Sequence, residues 1–274
     1  MISLHKAIKY FATFFAFLII AVIISSAIGG LEIMYSTFGS TKTGNPEDYI
    51  TTEIDGIPEK LIINAGSSSL TIEEGETFSV KTNNDRVKIL EENGTLYIRE
   101  QQEFFRSGKN SYEIILYIPH DTEFEKTDIS GGAGKIVIDG LASQNMNLDL
   151  GAGMTLLKNI SVSDSTHIKG GAGQTTILGS SIKNLSLNLG VGLTDITALL
   201  TGENKITCGV GEVKINLTGK KDDYEIFLEK GIGSASIAGE NIQHFKGSDE
   251  GQNKKNIIEI SGGIGRITVD FKGN

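Results

Sequence analysis

The sequence predicts an all-β chain: a β-solenoid, or β-helix, of stacked coils of about 19–20 residues each, preceded by one N-terminal transmembrane helix. Three observations carry that prediction. Gly-x-Gly recurs seven times at near-constant spacing, the residues around each copy alternate apolar and polar, and one long uncharged run stands near the N-terminus.

Residues 1–10 hold His5, Lys6 and Lys9 and no carboxylate, and are read as a cytoplasmic tail. Residues 11–31, FATFFAFLIIAVIISSAIGGL, carry no charge. About 20 apolar residues cross a bilayer core as a helix. Glu32 follows the run and the next cation is Lys42. The positive-inside rule then puts the N-terminus in the cytoplasm and the remainder outside, a single-pass protein of the cell membrane. Ser25-Ser26-Ala27 offers a rival reading, a cleaved signal peptide. The apolar run is longer than a usual signal core, which favours the uncleaved anchor. Residues 32–47 are a short polar linker with Gly39-Ser40-Thr41 and Gly44-Asn45-Pro46.

The net charge is −9, and all of the acidity lies beyond residue 10. Such a surface repels polyanions, so nucleic acid is excluded as a partner and docking on anionic lipid is disfavoured. The single cysteine, Cys208, rules out an internal disulfide and a CxxC site.

Residues 48–125 form an N-terminal β segment, read as atypical coils or a cap. Candidate strands are Leu61–Ile63, Leu70–Ile72, Phe78–Lys81, Val87–Leu90, Leu96–Arg99 and Tyr112–Ile118. Asn93-Gly94 is a hairpin signal, and Asn64-Ala65-Gly66-Ser67 reads as a degenerate unit of the ladder that follows. Terminal repeats are commonly atypical because they cover the open end of a stack.

Residues 126–274 carry the ladder itself. Its glycines are Gly132/Gly134, Gly151/Gly153, Gly171/Gly173, Gly190/Gly192, Gly209/Gly211, Gly231/Gly233 and Gly263/Gly265. The steps are nearly even as far as Gly209, slightly longer to Gly231, and clearly longer to Gly263. Apolar residues alternate before each step (Leu187 and Leu189, Ile206 and Cys208) and after it (Val213, Ile215 and Leu217). Period-two alternation is the signature of a half-buried strand. A coil this short cannot bury its own apolar row, whereas coils stacked about 4.8 Å apart align the rows into one core. Glycine suits the corner because it tolerates positive φ and lets the next coil approach. The middle residue is Ala, Val or Ile throughout, which predicts a stacked apolar column. Cys208 takes the place that Leu150 and Leu189 hold in their units, a core position.

Two ligand readings of Gly-x-Gly fail on spacing. A dinucleotide loop needs a third glycine three residues on, where the sequence has Val137, Leu156, Thr176, Asp195, Lys214, Ser236 and Thr268. A calcium nonapeptide needs aspartate where Ile136, Thr175 and Ile267 stand. No cofactor and no metal are therefore expected.

Tyr117-Ile118-Pro119-His120-Asp121-Thr122, followed by Ile129-Ser130-Gly131-Gly132-Ala133-Gly134-Lys135-Ile136-Val137-Ile138, resembles a bacterial envelope family described as "putative adhesin", whose function is not established. Gly94-Thr95-Leu96-Tyr97-Ile98 matches its earlier Gly-x-Leu-x-Ile strand, and the resemblance extends over residues 48–274. It implies a β-solenoid and a membrane-bound or surface location, in some relatives near envelope-stress signalling. It supplies no catalytic residues.

His5, His120, His167 and His244 make no metal-ligand spacing, and no nucleophile elbow is present. The ladder is interrupted once, at 240–256. There Gln243, His244, Phe245, Asp249 and Glu250 form the candidate recognition loop, since a loop emerging from a regular solenoid often carries contacts. Its structural alternative is a solvated excursion. The expected function is thus a non-catalytic, membrane-anchored adhesin or envelope-interaction protein, contacting an envelope protein or cell-wall component. The alternatives are a regulatory membrane subunit in envelope-stress sensing and a cell-wall glycan hydrolase or lyase. The last is weakened by the few aromatic platforms beyond residue 126, Tyr224, Phe227, Phe245 and Phe271.

Overall fold

Parallel neighbouring strands ordinarily need a crossover of a dozen residues or more. In the computed structural model, which describes residues 49–101, 112–242 and 256–273, the links are far shorter. Strands β8 (Glu123–Asp139), β9 (Ala142–Lys158), β10 (Ser161–Lys183), β11 (Leu185–Thr201) and β12 (Glu203–Thr218) follow one another with one or two residues between them. Yet each runs parallel to the next. That is possible only if every strand curls back so that its end reaches the start of its neighbour. The fold is an all-β, solenoid-like stack of such coils.

The burial pattern shows where each coil turns. In β11, Leu185, Leu187 and Leu189 are buried, and the buried row resumes at Thr194, Ile196, Ala198 and Leu200. On a flat strand the odd step from 189 to 194 would throw the second row to the opposite face. Both rows instead lie in one core, so the strand reverses its facing across Gly190-Val191-Gly192. Two apolar columns result. Before the turn, Ile63, Ile129, Leu148, Ile168, Leu187, Ile206, Ile260 and Leu228 stack in register. After it, Ile72, Ile138, Leu157, Ile177, Ile196, Ile215, Val269 and Ile237 do the same. All sixteen are buried, and each contributes about 1.5–3 kcal/mol through its transfer from water.

The N-terminal segment joins the same stack and also caps it. Strands β2 (Lys60–Asn64) and β3 (Ser69–Gly75) make one coil, paired with the two halves of β8. Strands β6 (Thr95–Glu100) and β7 (Glu113–Pro119) lie parallel to β2 and β3 as the next coil out. Beyond them the pairing becomes antiparallel: β5 (Val87–Glu92) on β6, β4 (Ser79–Thr82) on β7, and β1 (Ile50–Glu53) on β4. Asn93 and Gly94 have φ of 50° and 70°, the left-handed pair that a tight hairpin between β5 and β6 requires.

Coil order departs from chain order at both ends. Strand β15 (Asn256–Lys272) pairs with β12 on one side and with β13 (Tyr224–Ile237) on the other. The later strand therefore sits inside the stack and the earlier one forms its end, with the two-residue β14 (Glu240–Asn241) paired to its outer edge. Likewise β2 and β3 lie inside β6 and β7.

The predicted tail, membrane helix and linker at 1–10, 11–31 and 32–47 lie outside the described residues. Among the described residues no helix is long and apolar enough to cross a membrane.

Candidate interaction surface

At each corner the backbones of successive coils meet without side chains between them. A Cβ on Gly151, Gly171, Gly190, Gly209, Gly231 or Gly263 would stand 2.0–2.8 Å from the carbonyl oxygen of the corresponding glycine of the adjacent coil. The second glycines are tighter still: at Gly192 and Gly211, with φ of 150° and 146°, the same distance is 1.7 Å. Real Cβ atoms do not come this close to a backbone oxygen, so the corner excludes every residue but glycine at these positions. A Cβ on Gly132 would stand 2.5 Å from the Gly66 carbonyl oxygen, which accepts the Gly132 amide at 2.8 Å, so Gly66 is a rung of the ladder. Gly134 is the exception, with 3.8 Å to the Ser68 carbonyl.

Between the glycines the middle residues project outward. Ala133, Ala152, Ala172, Val191, Val210, Ile264 and Ile232 stand side by side in that spatial order. The column is apolar, as its composition predicts, but it faces solvent: Ile264 is 50% and Ile232 73% exposed. Alternation alone cannot foretell this, because the turn resets which side of the strand faces the core. Cys208 lies inside, 5% exposed, and burial pushes its thiol pKa up. A reactive cysteine needs a depressed pKa, so this thiol is a core group.

Where the outer N-terminal coil meets the β2–β3 coil, a carboxylate replaces the glycine step. Glu100 accepts hydrogen bonds from the Ser67 amide (2.8 Å), the Ser67 hydroxyl (3.1 Å), the Ser68 amide (3.0 Å), Asn84 Nδ2 (3.1 Å) and Arg86 Nη2 (3.0 Å). Its side chain is 2% exposed. Five donors around one buried carboxylate leave no lone pair to attack or abstract a proton, so the cluster is structural.

The outer face before the corners is shallowly concave. A groove of about 540 Å³ is lined by Ile62, Asn64, Arg99, Asp128, Ser130, Asn147, Asp149, His167 and Lys169 among others. Two rows of side chains make its floor: Asp128, Asn147 and His167 in one, Ser130, Asp149 and Lys169 in the other. Asn147 donates to Asp128 at 2.6 Å and Lys126 reaches the second oxygen at 2.5 Å. Arg99 lies over the Tyr97 ring, 4.5 Å from its centroid. The groove therefore offers donors and acceptors at coil-to-coil spacing, with its charges already partnered or interspersed. Sequence reasoning assigned none of these residues to a binding surface, although writing the coils beneath one another at the spacing of the ladder aligns Asp128, Asn147 and His167. The candidate recognition residues Gln243, His244, Phe245, Asp249 and Glu250 lie outside the described residues. Among the described residues no cluster of His, Cys, Asp and Glu could hold a metal.

Solved structures that resemble the chain include the following three. A putative cell adhesion protein from Clostridium sporogenes is 17% identical over 82% of this chain and 99% of its own, with a TM-score of 0.42. A putative lipid binding protein from Parabacteroides distasonis is 16% identical over 81% and 96%, with a TM-score of 0.37. A putative adhesin from Bacteroides fragilis is 13% identical over 81% and 96%, with a TM-score of 0.29. No curated protein matches in sequence. One family model, described as Toastrack DUF4097, matches residues 58–247, from β2 to beyond β14.

Proposed function

From the premise that this chain belongs to the Toastrack DUF4097 family, we propose that it is a non-catalytic interaction protein of the bacterial cell envelope, held to the membrane by residues 11–31. The observation that carries this reading is the outer groove. It spans coils whose backbones are fully paired on both sides, so its side chains are held at fixed spacing. Their rows present donors and acceptors to an extended polar partner, such as a wall polymer or the surface loop of another envelope protein. Of the groove's two carboxylates, Asp128 is held by Lys126 and Asn147, and Asp149 stands in register with Lys169. A general acid or base must instead be free to exchange its proton with a substrate.

The full chain in its own membranes tests this directly. Cross-linking through a photoreactive residue placed at Asn147 or Lys169 captures an envelope component, and wall polymers incubated with the chain retain their length. New reducing ends that disappear on Asp128→Asn would reverse the reading in favour of a glycan hydrolase.

A further inference from the structure

The exposed corner column is graded in size. Along the stack it reads Ala133, Ala152, Ala172, Val191, Val210, Ile264, Ile232, three small side chains followed by two of middle size and two large ones. The strip is seven coils long, about 29 Å at the usual strand spacing. It ends at Ser67, which sits beside Ala133 on the adjoining β2–β3 coil and is tied to Glu100. Glycines flank every member, so each side chain is a knob standing between two bare stretches of backbone.

We propose that this ridge is the contact surface of a two-fold dimer, the partner being a second copy of the chain with its ridge antiparallel. A two-fold axis at Val191 places Ala133 opposite Ile232, Ala152 opposite Ile264, and Ala172 opposite Val210. Every pair then joins an alanine to a larger side chain, apart from Val191 against its own copy. The taper of one ridge is filled by the reverse taper of the other. Parallel ridges would set isoleucine on isoleucine at one end and leave a wedge-shaped gap at the alanines, which the close packing of protein contacts disfavours.

The flanks agree with the antiparallel arrangement. The outward row after the corner runs Lys135, Met154, Gln174, Leu193, Glu212, Arg266, Ser234. Reversed on itself it sets Lys135 against Ser234, Met154 against Arg266, Gln174 against Glu212 and Leu193 against Leu193. No like charges meet. A strip about 29 Å long and about 10 Å wide buries well under the ~1,600 Å² of a standard interface, so the dimer is weak and concentration-dependent.

Disulfide trapping of the full chain, solubilised and mildly oxidised, tests the arrangement. Val191→Cys alone should give a linked dimer, because the two-fold axis brings the residue beside its own copy. Ala133→Cys alone and Ile232→Cys alone should not, whereas mixing those two variants should yield the linked pair. The unmodified chain is the blank, since Cys208 is buried. Linking of Ala133→Cys to itself, or no linking by Val191→Cys because another segment or partner covers the ridge, would overturn the proposal. Ile232→Asp combined with Ile264→Asp, both at exposed positions that leave the melt unchanged, should weaken self-association at least ten-fold in sedimentation of the full chain. An unchanged sedimentation profile would also count against the ridge.

Discussion

A Cβ on Gly211 would stand 1.7 Å from the carbonyl oxygen of Gly192. No rotamer relieves that overlap, because both partners are backbone and each coil is pinned by its neighbours. The same site needs φ of 146°, which L side chains rarely adopt. Gly211→Ala and Gly192→Ala are therefore expected to cost about 4 kcal/mol or more, lowering the melting temperature by about 10 °C for a domain of this size. Gly134→Ala is the internal control. Its new methyl meets nothing closer than 3.8 Å, and its melt should move by no more than about 2 °C. Circular dichroism melts of the three variants check this, and equal losses in all three would remove the steric account.

The Glu100 cluster predicts an asymmetry. Removing the carboxylate leaves the Ser67 and Ser68 amides, Asn84 and the Arg86 guanidinium without their shared acceptor. Glu100→Ala should cost about 3–5 kcal/mol. Arg86→Ala should cost less, because the other four hydrogen bonds survive. Denaturant titration of both variants ranks them.

Alkaline pH should loosen the N-terminal cap. Tyr49 donates to Glu113 at 2.5 Å, and burial together with that carboxylate pushes its pKa from 10.0 up to about 12. Since the folded value lies above the unfolded one, the stabilisation is complete below about pH 10 and is lost as pH rises through about 12. Tyr49→Phe should flatten the fall of the melting temperature between these values. A wild-type melt that is already flat over that range would refute the assignment.

Cys208 should resist thiol reagents. Burial raises its pKa and closes access, so at about pH 8 it should label only as the chain unfolds. Labelling rate against denaturant concentration reports this, and rapid labelling of the folded chain would place the thiol at the surface.

Hydrogen exchange should report the order of coils. Strand β15 is flanked on both edges, whereas among the described residues β14 pairs with β13 only at Ser236 and Ile237, next to the Ile242 amide's hydrogen bond to the Ala235 carbonyl. Amides of Ile258 to Ile260 should exchange more slowly than the outward-bonding amides between Tyr224 and Leu228, although β15 lies nearer the C-terminus.

Much of this architecture is legible in the chain. The even spacing of the Gly-x-Gly steps gives the coil, and the glycines themselves mark its corner. The Asn93-Gly94 hairpin and the six strands around it follow from local signals. The inverted order at the ends does not. Every coil from β8 onward carries the same Gly-x-Gly and the same apolar rows, so Gly263–Gly265 fits against Gly209–Gly211 as well as Gly231–Gly233 would. Only the lengthened intervals before Gly231 and before Gly263 hint that chain order is broken. The groove was hidden for a related reason. Asp128, Asn147 and His167 share no motif, and they become one surface only when the coils are stacked.

The inversion has a consequence for how the molecule is made. A solenoid built in chain order can grow as it is synthesised, each new coil docking on the last. Here β13 is finished before β15 exists, yet β15 lies between β13 and β12. Either β13 waits undocked or it must be displaced when β15 arrives. Assembly at that end is therefore tied to completion of the strand that follows, and a chain interrupted between them would be left with a coil that has no native place to bind.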